Sequence, residues 1–155
     1  MSREEKQKSL DRISGDEALK LENQICFPLY AAARKVTGAY TPFLKPLGIT
    51  YTQYLVFLVL WEQDGIPVGA LGQALHLDTG TLTPLLKKME AAGFLTRQRR
   101  KDDERSVEIR LTEKGRALKE KARDIPGKIG ACFTGALSGE DAAALYRILY
   151  QILKD

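Results

Sequence analysis

The sequence predicts a mainly α-helical fold with one small β-hairpin, and three observations carry that expectation. Between its turn residues, most of the chain repeats apolar positions at helical spacing. One stretch, Phe94 to Leu111, changes period: Val107, Ile109 and Leu111 alternate there with Glu108 and Arg110. The length of 155 residues and the 44% hydrophobic content suit a single domain with an ordinary core.

Each element follows in order. Residues 1–20 are dominated by charged and polar side chains and read as a flexible charged arm. Leu21 to about Ala39 reads as an interrupted amphipathic helix that buries Ile25, Leu29, Ala32 and Val36 on one face. After a connection marked by Pro42, Pro46 and Gly48, Thr50 and Gln53 form a capping-box pair at the start of a helix to about Gln63. That helix carries Tyr54, Leu55, Leu58 and Trp61 and is apolar enough to be central. Two short helices follow, about Val68 to Leu75 and Thr79 to Ala92, and Gly93 stops the second. The hairpin runs over Phe94–Arg99 and Ser106–Leu111, with a charged tip from Arg100 to Arg105. Thr112 caps a long polar helix to about Gly127, and Ser138 starts a last helix with Leu145, Ile148, Leu149 and Ile152 on one stripe.

Composition removes several functional classes. The longest apolar run, Tyr54 to Trp61, falls well short of the ~20 residues of a membrane-spanning helix. The start of the chain lacks the apolar region of a secretory signal, so a cytoplasmic location is expected, with no membrane partner. Two cysteines, Cys26 and Cys132, and a single His76 match no zinc spacing, so neither a metal nor another cofactor is expected. In a reducing compartment such thiols are free for chemistry. The net charge of +4 suits a polyanion if the excess lies on one face.

The helix from Thr79 to Ala92 distributes its residues suggestively. Leu82, Leu85, Leu86 and Met89 share the apolar face, and the opposite face is left with Gly80, Thr83, Pro84 and Lys87, flanked by Lys88, while Thr79 and Thr81 at the helix start join them as candidate DNA contacts. Small and hydroxyl-bearing residues at a helix N-terminus allow close approach to base edges, and lysines one turn on neutralise phosphates. Taken alone, the same face is what a solvated helix shows. Pro84, which lacks an amide proton and crowds the carbonyl four residues back, predicts a loosened first turn. The hairpin adds Arg97, Arg99, Arg100, Lys101, Arg105 and Arg110, interleaved with Asp102, Asp103, Glu104 and Glu108. One division of labour has Asp103 orient Arg105 while Arg105 enters a narrow minor groove; the bland alternative is an exposed turn with incidental ion pairs. A basic hairpin directly after a Thr/Lys helix describes a winged helix-turn-helix, with double-stranded operator DNA as partner.

The run LGQALHLDTGTLTPLLKKMEAAGFLTRQRRKDDERSVEIRLTEKG resembles the DNA-binding lobe of the MarR family of bacterial transcription regulators. Its DER, Asp103 to Arg105, is similar to that family's wing signature, and LTEKG to its usual exit into the following helix. The resemblance implies one domain over residues 21–155, with a winged lobe at about 50–112. It also implies a homodimer built by helices at about 21–40 and 113–155, its two lobes one duplex turn apart. The stripe on Leu145, Ile148, Leu149 and Ile152 fits such a seam and equally fits an ordinary core.

The thiols form a second constellation. Cys26 lies at the edge of the first apolar stripe, and Pro28 implies a helix start or a break just after it; if the helix starts there, unpaired amides would face the sulfur. Tyr40 and Tyr51 stand in polar or turn-flanked positions and are candidates to donate hydrogen bonds to a thiolate. Inert packing explains Cys26 as simply, and half-buried aromatic packing explains the tyrosines. The segment LENQICFPLYAAARKVTGAYTPFLKPLGITYTQYLVFLVLWE resembles the N-terminal half of the organic hydroperoxide resistance regulators, a branch of the MarR family. That resemblance implies Cys26 as the redox sensor, Tyr40 and Tyr51 as the pair that holds its sulfur, and an organic or lipid hydroperoxide as inducer. It further implies Cys132 as the resolving thiol of a two-cysteine subtype. Among Gly127, Gly130 and Gly135, Cys132 reads as readily as a small residue in a flexible joint. Two competing functions remain: a MarR-type repressor controlled by a small aromatic ligand, and a thiol peroxidase with Cys26 as nucleophile, against which stands the lack of any peroxidase motif.

Overall fold

The computed structural model describes residues 14–99, 106–133 and 137–154. The chain divides into two compact units, Met1–Ala39 and Tyr40–Asp155. In the first, short 3-10 turns at Gly15–Leu19 and Leu21–Asn23 precede helix α1, Cys26–Ala39. The interruption expected from the sequence is therefore real and ends at Cys26. The buried face expected for this segment is absent, since Ile25, Leu29 and Val36 are all exposed. Among the described residues of this unit, no side chain of α1 is buried.

The second unit opens with helix α2, Thr41–Leu44, and a 3-10 turn, Lys45–Leu47, where the sequence reading had only a connection. Pro42 and Pro46 sit at helical first-turn positions, where a missing amide proton costs nothing. Helix α3, Tyr51–Glu62, starts with the expected capping box: the Thr50 hydroxyl accepts from the Gln53 amide at 3.3 Å, and the Gln53 side chain accepts from the Thr50 amide at 2.9 Å. α3 is central as anticipated, but its buried side chains are Tyr54, Val56, Phe57 and Leu60, while Leu58 is exposed. Phe57 stacks on Trp61 at 5.1 Å and meets Phe94 edge-on at 5.4 Å.

Strand β1, Ile66–Pro67, leads into helix α4, Val68–Leu75, and helix α5, Thr79–Ala91. His76 ends α4 in the left-handed conformation, φ 51°, so it serves as the C-cap of the turn between the two helices. α5 stays continuous through Pro84, and the loosening expected there does not occur. Its first turn is held from outside the proline by the Asp78 cap. Gly93, φ 74°, then reverses the chain into strand β2, Leu95–Arg99, which pairs antiparallel with strand β3, Val107–Leu111. Sheet order is β1-β3-β2, with Ile66 opposite Ile109 and Arg97 opposite Ile109 on its other side.

The long polar helix expected after Thr112 is two helices, α6, Glu113–Ala122, and α7, Ile125–Phe133. Pro126 accounts for the break: it cannot donate to the carbonyl of Ala122, and its ring crowds that carbonyl. Helix α8, Gly139–Ile152, begins at a Ser138–Asp141 capping box and has no buried residue. The core of this unit lies between α3, α4, α5, α6 and one face of the sheet, where Leu71, Leu82, Met89 and Ile109 are fully enclosed.

Candidate DNA-reading face and redox thiols

Helix α5 is anchored by a face of Leu82, Leu86 and Met89, all at or below 1% exposure, with Leu85 half-buried beside them. That leaves Thr79, Gly80, Thr81, Pro84, Lys87 and Lys88 exposed and Thr83 half-buried. The Asp78 carboxylate caps the helix by accepting from the Thr81 amide at 2.8 Å and from the Thr81 hydroxyl at 2.9 Å. These bonds, the amide first, hold the Asp78 carboxyl below its ordinary value of 3.8. Thr81 is thereby engaged in its own helix cap, whereas Thr79, Gly80, Lys87 and Lys88 remain on the outer face.

A groove of about 520 Å³ separates that face from the hairpin, lined by Pro67, Val68, Gly69, Thr79, Thr83, Arg97, Ser106 and Val107. Arg97 does not project as an isolated cation. Its guanidinium lies on the Glu90 carboxylate of α5, with Nε to Oε2 at 2.8 Å and Nη2 to Oε2 at 2.7 Å, and its amide donates to Glu90 Oε1 at 3.2 Å. Those hydrogen bonds from Arg97 pull the Glu90 carboxyl below its usual value of 4.5. Arg110 is likewise paired, with Glu108. Arg100, Lys101, Asp103 and Arg105, the tip residues expected to reach DNA, lie outside the described residues.

At the base of the hairpin, Asp64 accepts from the Gly65 amide at 2.9 Å, the Leu111 amide at 2.8 Å and the Arg116 guanidinium at 3.1 Å. Trp61 Nε1 donates to the Gly115 carbonyl at 3.0 Å. The hairpin is thus fixed to α3 and α6. Sequence reasoning missed Asp64, Glu90 and the Trp61–Gly115 bond, because each joins positions seven to more than fifty residues apart.

Cys26 is the first residue of α1 and is exposed. The amides expected to face its sulfur are not available as foreseen: that of Phe27 donates to the Gln24 carbonyl at 3.1 Å, and Pro28 has none. Tyr40 and Tyr51 do meet, with ring centroids 4.9 Å apart, and Tyr54 stands 5.7 Å from Tyr40. Burial raises the hydroxyl pKa of both Tyr40 and Tyr51 above 10.0, with a smaller contribution from Tyr146 at Tyr40 and from Tyr40 at Tyr51. Both therefore remain protonated donors at neutral pH. Cys132 is exposed on α7 rather than in a joint, and its thiol donates to the Lys128 carbonyl at 3.3 Å.

Comparison with known proteins gives the family of the chain. Residues 39–122 match the family described as transcriptional regulator SarA/Rot. Over 136 residues, 88% of this chain and 91% of the relative, the chain is 53% identical to the organic hydroperoxide resistance transcriptional regulator of Bacillus subtilis strain 168. The chain belongs to the MarR/SarA family of winged-helix transcriptional regulators. Among solved structures it is similar to reduced AbfR bound to DNA, a protein of Staphylococcus epidermidis, at 34% identity and TM-score 0.71 over 89% of this chain and 94% of that one. Escherichia coli MarR shares the fold at 23% identity and TM-score 0.67, covering 84% of this chain and 98% of its own. In this MarR/SarA family member α5 is the second helix of the helix-turn-helix, and β2 and β3 are the wing. No single described helix is long and apolar enough to cross a membrane.

Proposed function

We propose that the chain is a homodimeric, thiol-switched repressor that binds operator DNA when reduced and releases it when an organic hydroperoxide oxidises Cys26. The observation that carries the reading is the exposed face of α5, small and hydroxyl-bearing at its N-terminus and basic one turn on, set beside the wing in a chain 53% identical to a regulator named for organic hydroperoxide resistance. Thr79, Gly80 and Thr83 approach base edges in the major groove, with Thr81 supporting the helix end from within. Lys87 and Lys88 neutralise phosphates, and Arg100, Lys101, Asp103 and Arg105 serve the wing, where Arg105 reads the minor groove.

Exposed apolar side chains on α1 and α8, among them Val36, Leu145 and Ile148, make the homodimer seam. Two lobes then meet a pseudo-palindromic site at one-turn spacing. In the switch, the Cys26 thiolate attacks the outer peroxide oxygen, the O–O bond breaks, an alcohol leaves, and Cys26 becomes a sulfenic acid. The Cys132 thiol of the partner subunit attacks that sulfur, and water leaves as a disulfide forms. Tyr40 and Tyr51 donate to the reduced sulfur, and losing those bonds changes the spacing of the two lobes.

The test is fluorescence anisotropy of the reduced chain on a duplex from upstream of its own gene, before and after stoichiometric cumene hydroperoxide, with Cys26→Ser alongside. Tight binding that is lost on oxidation and kept in the serine variant is the expected result. Binding that peroxide leaves unchanged turns the reading toward control by a small aromatic ligand. Steady turnover of peroxide with a dithiol turns it toward a thiol peroxidase.

A further inference from the structure

We propose that Glu90 is a positioning residue for operator binding, which sets the wing against helix α5 by gripping Arg97 through both its main chain and its guanidinium. The inference rests on the reading of α5 and the wing as DNA-binding elements, and adds the joint between them.

Glu90 stands in the last turn of α5, where a carboxylate faces the negative end of the helix dipole and is unfavourable unless a cation answers it. The answering cation comes from the strand beyond the Gly93 turn. Three contacts of 3.2, 2.8 and 2.7 Å tie one carboxylate to the amide, Nε and Nη2 of Arg97. An ion pair between side chains alone would leave the strand free to slide under a flexible arginine. Here one contact is to the backbone, so the position of β2 itself is set. β2 is moreover an edge strand of the sheet, and Glu90 takes a main-chain donor from it. The pair is partly shielded, with side chains 27% and 36% exposed, so solvent screens it less than an open surface bridge.

Arg97 also lines the groove between Thr79 and Thr83 of α5 and Ser106 and Val107 of the wing. The clamp therefore lies where the separation of the two DNA-reading elements is decided. Arg97 lies two residues before the end of β2, the strand that leads toward the wing tip, so a change of β2's angle at Glu90 changes the setting of the wing against α5.

A structural role alone would lower the folded fraction; a positioning role changes how many phosphates the folded protein reaches. Anisotropy on the same promoter duplex, over a series of salt concentrations and with Tm measured in parallel, separates the two. Glu90→Ala is expected to weaken binding about tenfold, a common size for one coupling between neighbours. It is also expected to flatten the slope of log K against log salt by about one unit or more, as wing cations lose phosphates. Glu90→Gln keeps an acceptor for the Arg97 amide and should fall between the two. Unchanged affinity in Glu90→Ala overturns the proposal, and so does weaker binding that follows Tm with an unchanged slope. If the wild-type chain binds no promoter duplex at any salt, it is the DNA reading that fails, and this inference falls with it.

Discussion

At Gly115 an added Cβ would overlap the carbonyl oxygen of Phe94 and stand 3.0 Å from the Leu111 side chain. The same residue's carbonyl accepts from Trp61 Nε1 at 3.0 Å, and its amide donates to the Thr112 hydroxyl at 3.2 Å. The start of α6 is thus pressed onto the turn after α5 with no room for a side chain. Gly115→Ala must push that helix off the lobe, and overpacking of this kind costs about 1–3 kcal/mol. In a domain of this length that corresponds to a fall in Tm of several degrees, on the order of 2–4 °C per kcal/mol. Trp61, the chain's single tryptophan, reports the shift by its emission. An unchanged Tm and emission would show that the two segments separate without cost. Gly115 is the last residue of LTEKG, but nothing in one dimension shows why it is glycine, because the carbonyl it must clear belongs to a residue twenty-one positions earlier.

Helix α5 depends on its cap more than most helices, because Pro84 removes a donor from the ladder just above the first turn. Asp78 supplies the cap, and hydrogen bonds from Thr81 hold its carboxyl below 3.8. A folded-state pKa lower than the unfolded one means the stabilisation is complete above the unfolded value and is lost as pH falls through the folded one. The Tm gap between the chain and Asp78→Ala is therefore expected to be constant above about pH 4 and to narrow below it. A gap that persists unchanged into strong acid would remove the carboxylate from the cap. What the sequence revealed of the elements follows the same physics. The hairpin was legible because Val107, Ile109 and Leu111 alternate over a full strand, and α3 because Thr50 and Gln53 cap it locally. β1 was not, since two residues, one a proline, have no period. The break between α6 and α7 was in plain view as Pro126 but was overridden by the polar run before it. The wing's attachment at Glu90 and Asp64 was invisible because neither acid looks different from its charged neighbours until the chain has turned.

On the scale of the whole molecule, the unanswered surface is apolar. Ile25 is 72% exposed and Ile152 is 61% exposed, and α1 and α8 carry no buried residue, although both have apolar stripes that the sequence marked out. The stripes were legible; that their side chains stay exposed among the described residues was not, because periodicity states which residues seek burial and never against which molecule. The proposed two-fold seam would use each stripe in both copies, so one substitution acts twice. Ile148→Glu combined with Ile152→Glu places carboxylates on the α8 stripe from each subunit, and like charges brought out of water there oppose association. Light scattering after size exclusion should show the mass of one chain for this variant. Because none of these side chains belongs to the winged lobe, circular dichroism should keep its helical signal. Operator binding should nevertheless weaken by about 100-fold or more, since a lone lobe loses the effective concentration its tethered partner supplies at the second half-site. Halving the operator to one half-site then costs the variant little and the parent chain a great deal. A variant that stays dimeric, or one that is monomeric and still binds the full operator as the parent does, would separate DNA reading from these helices and require the two lobes to be held together elsewhere.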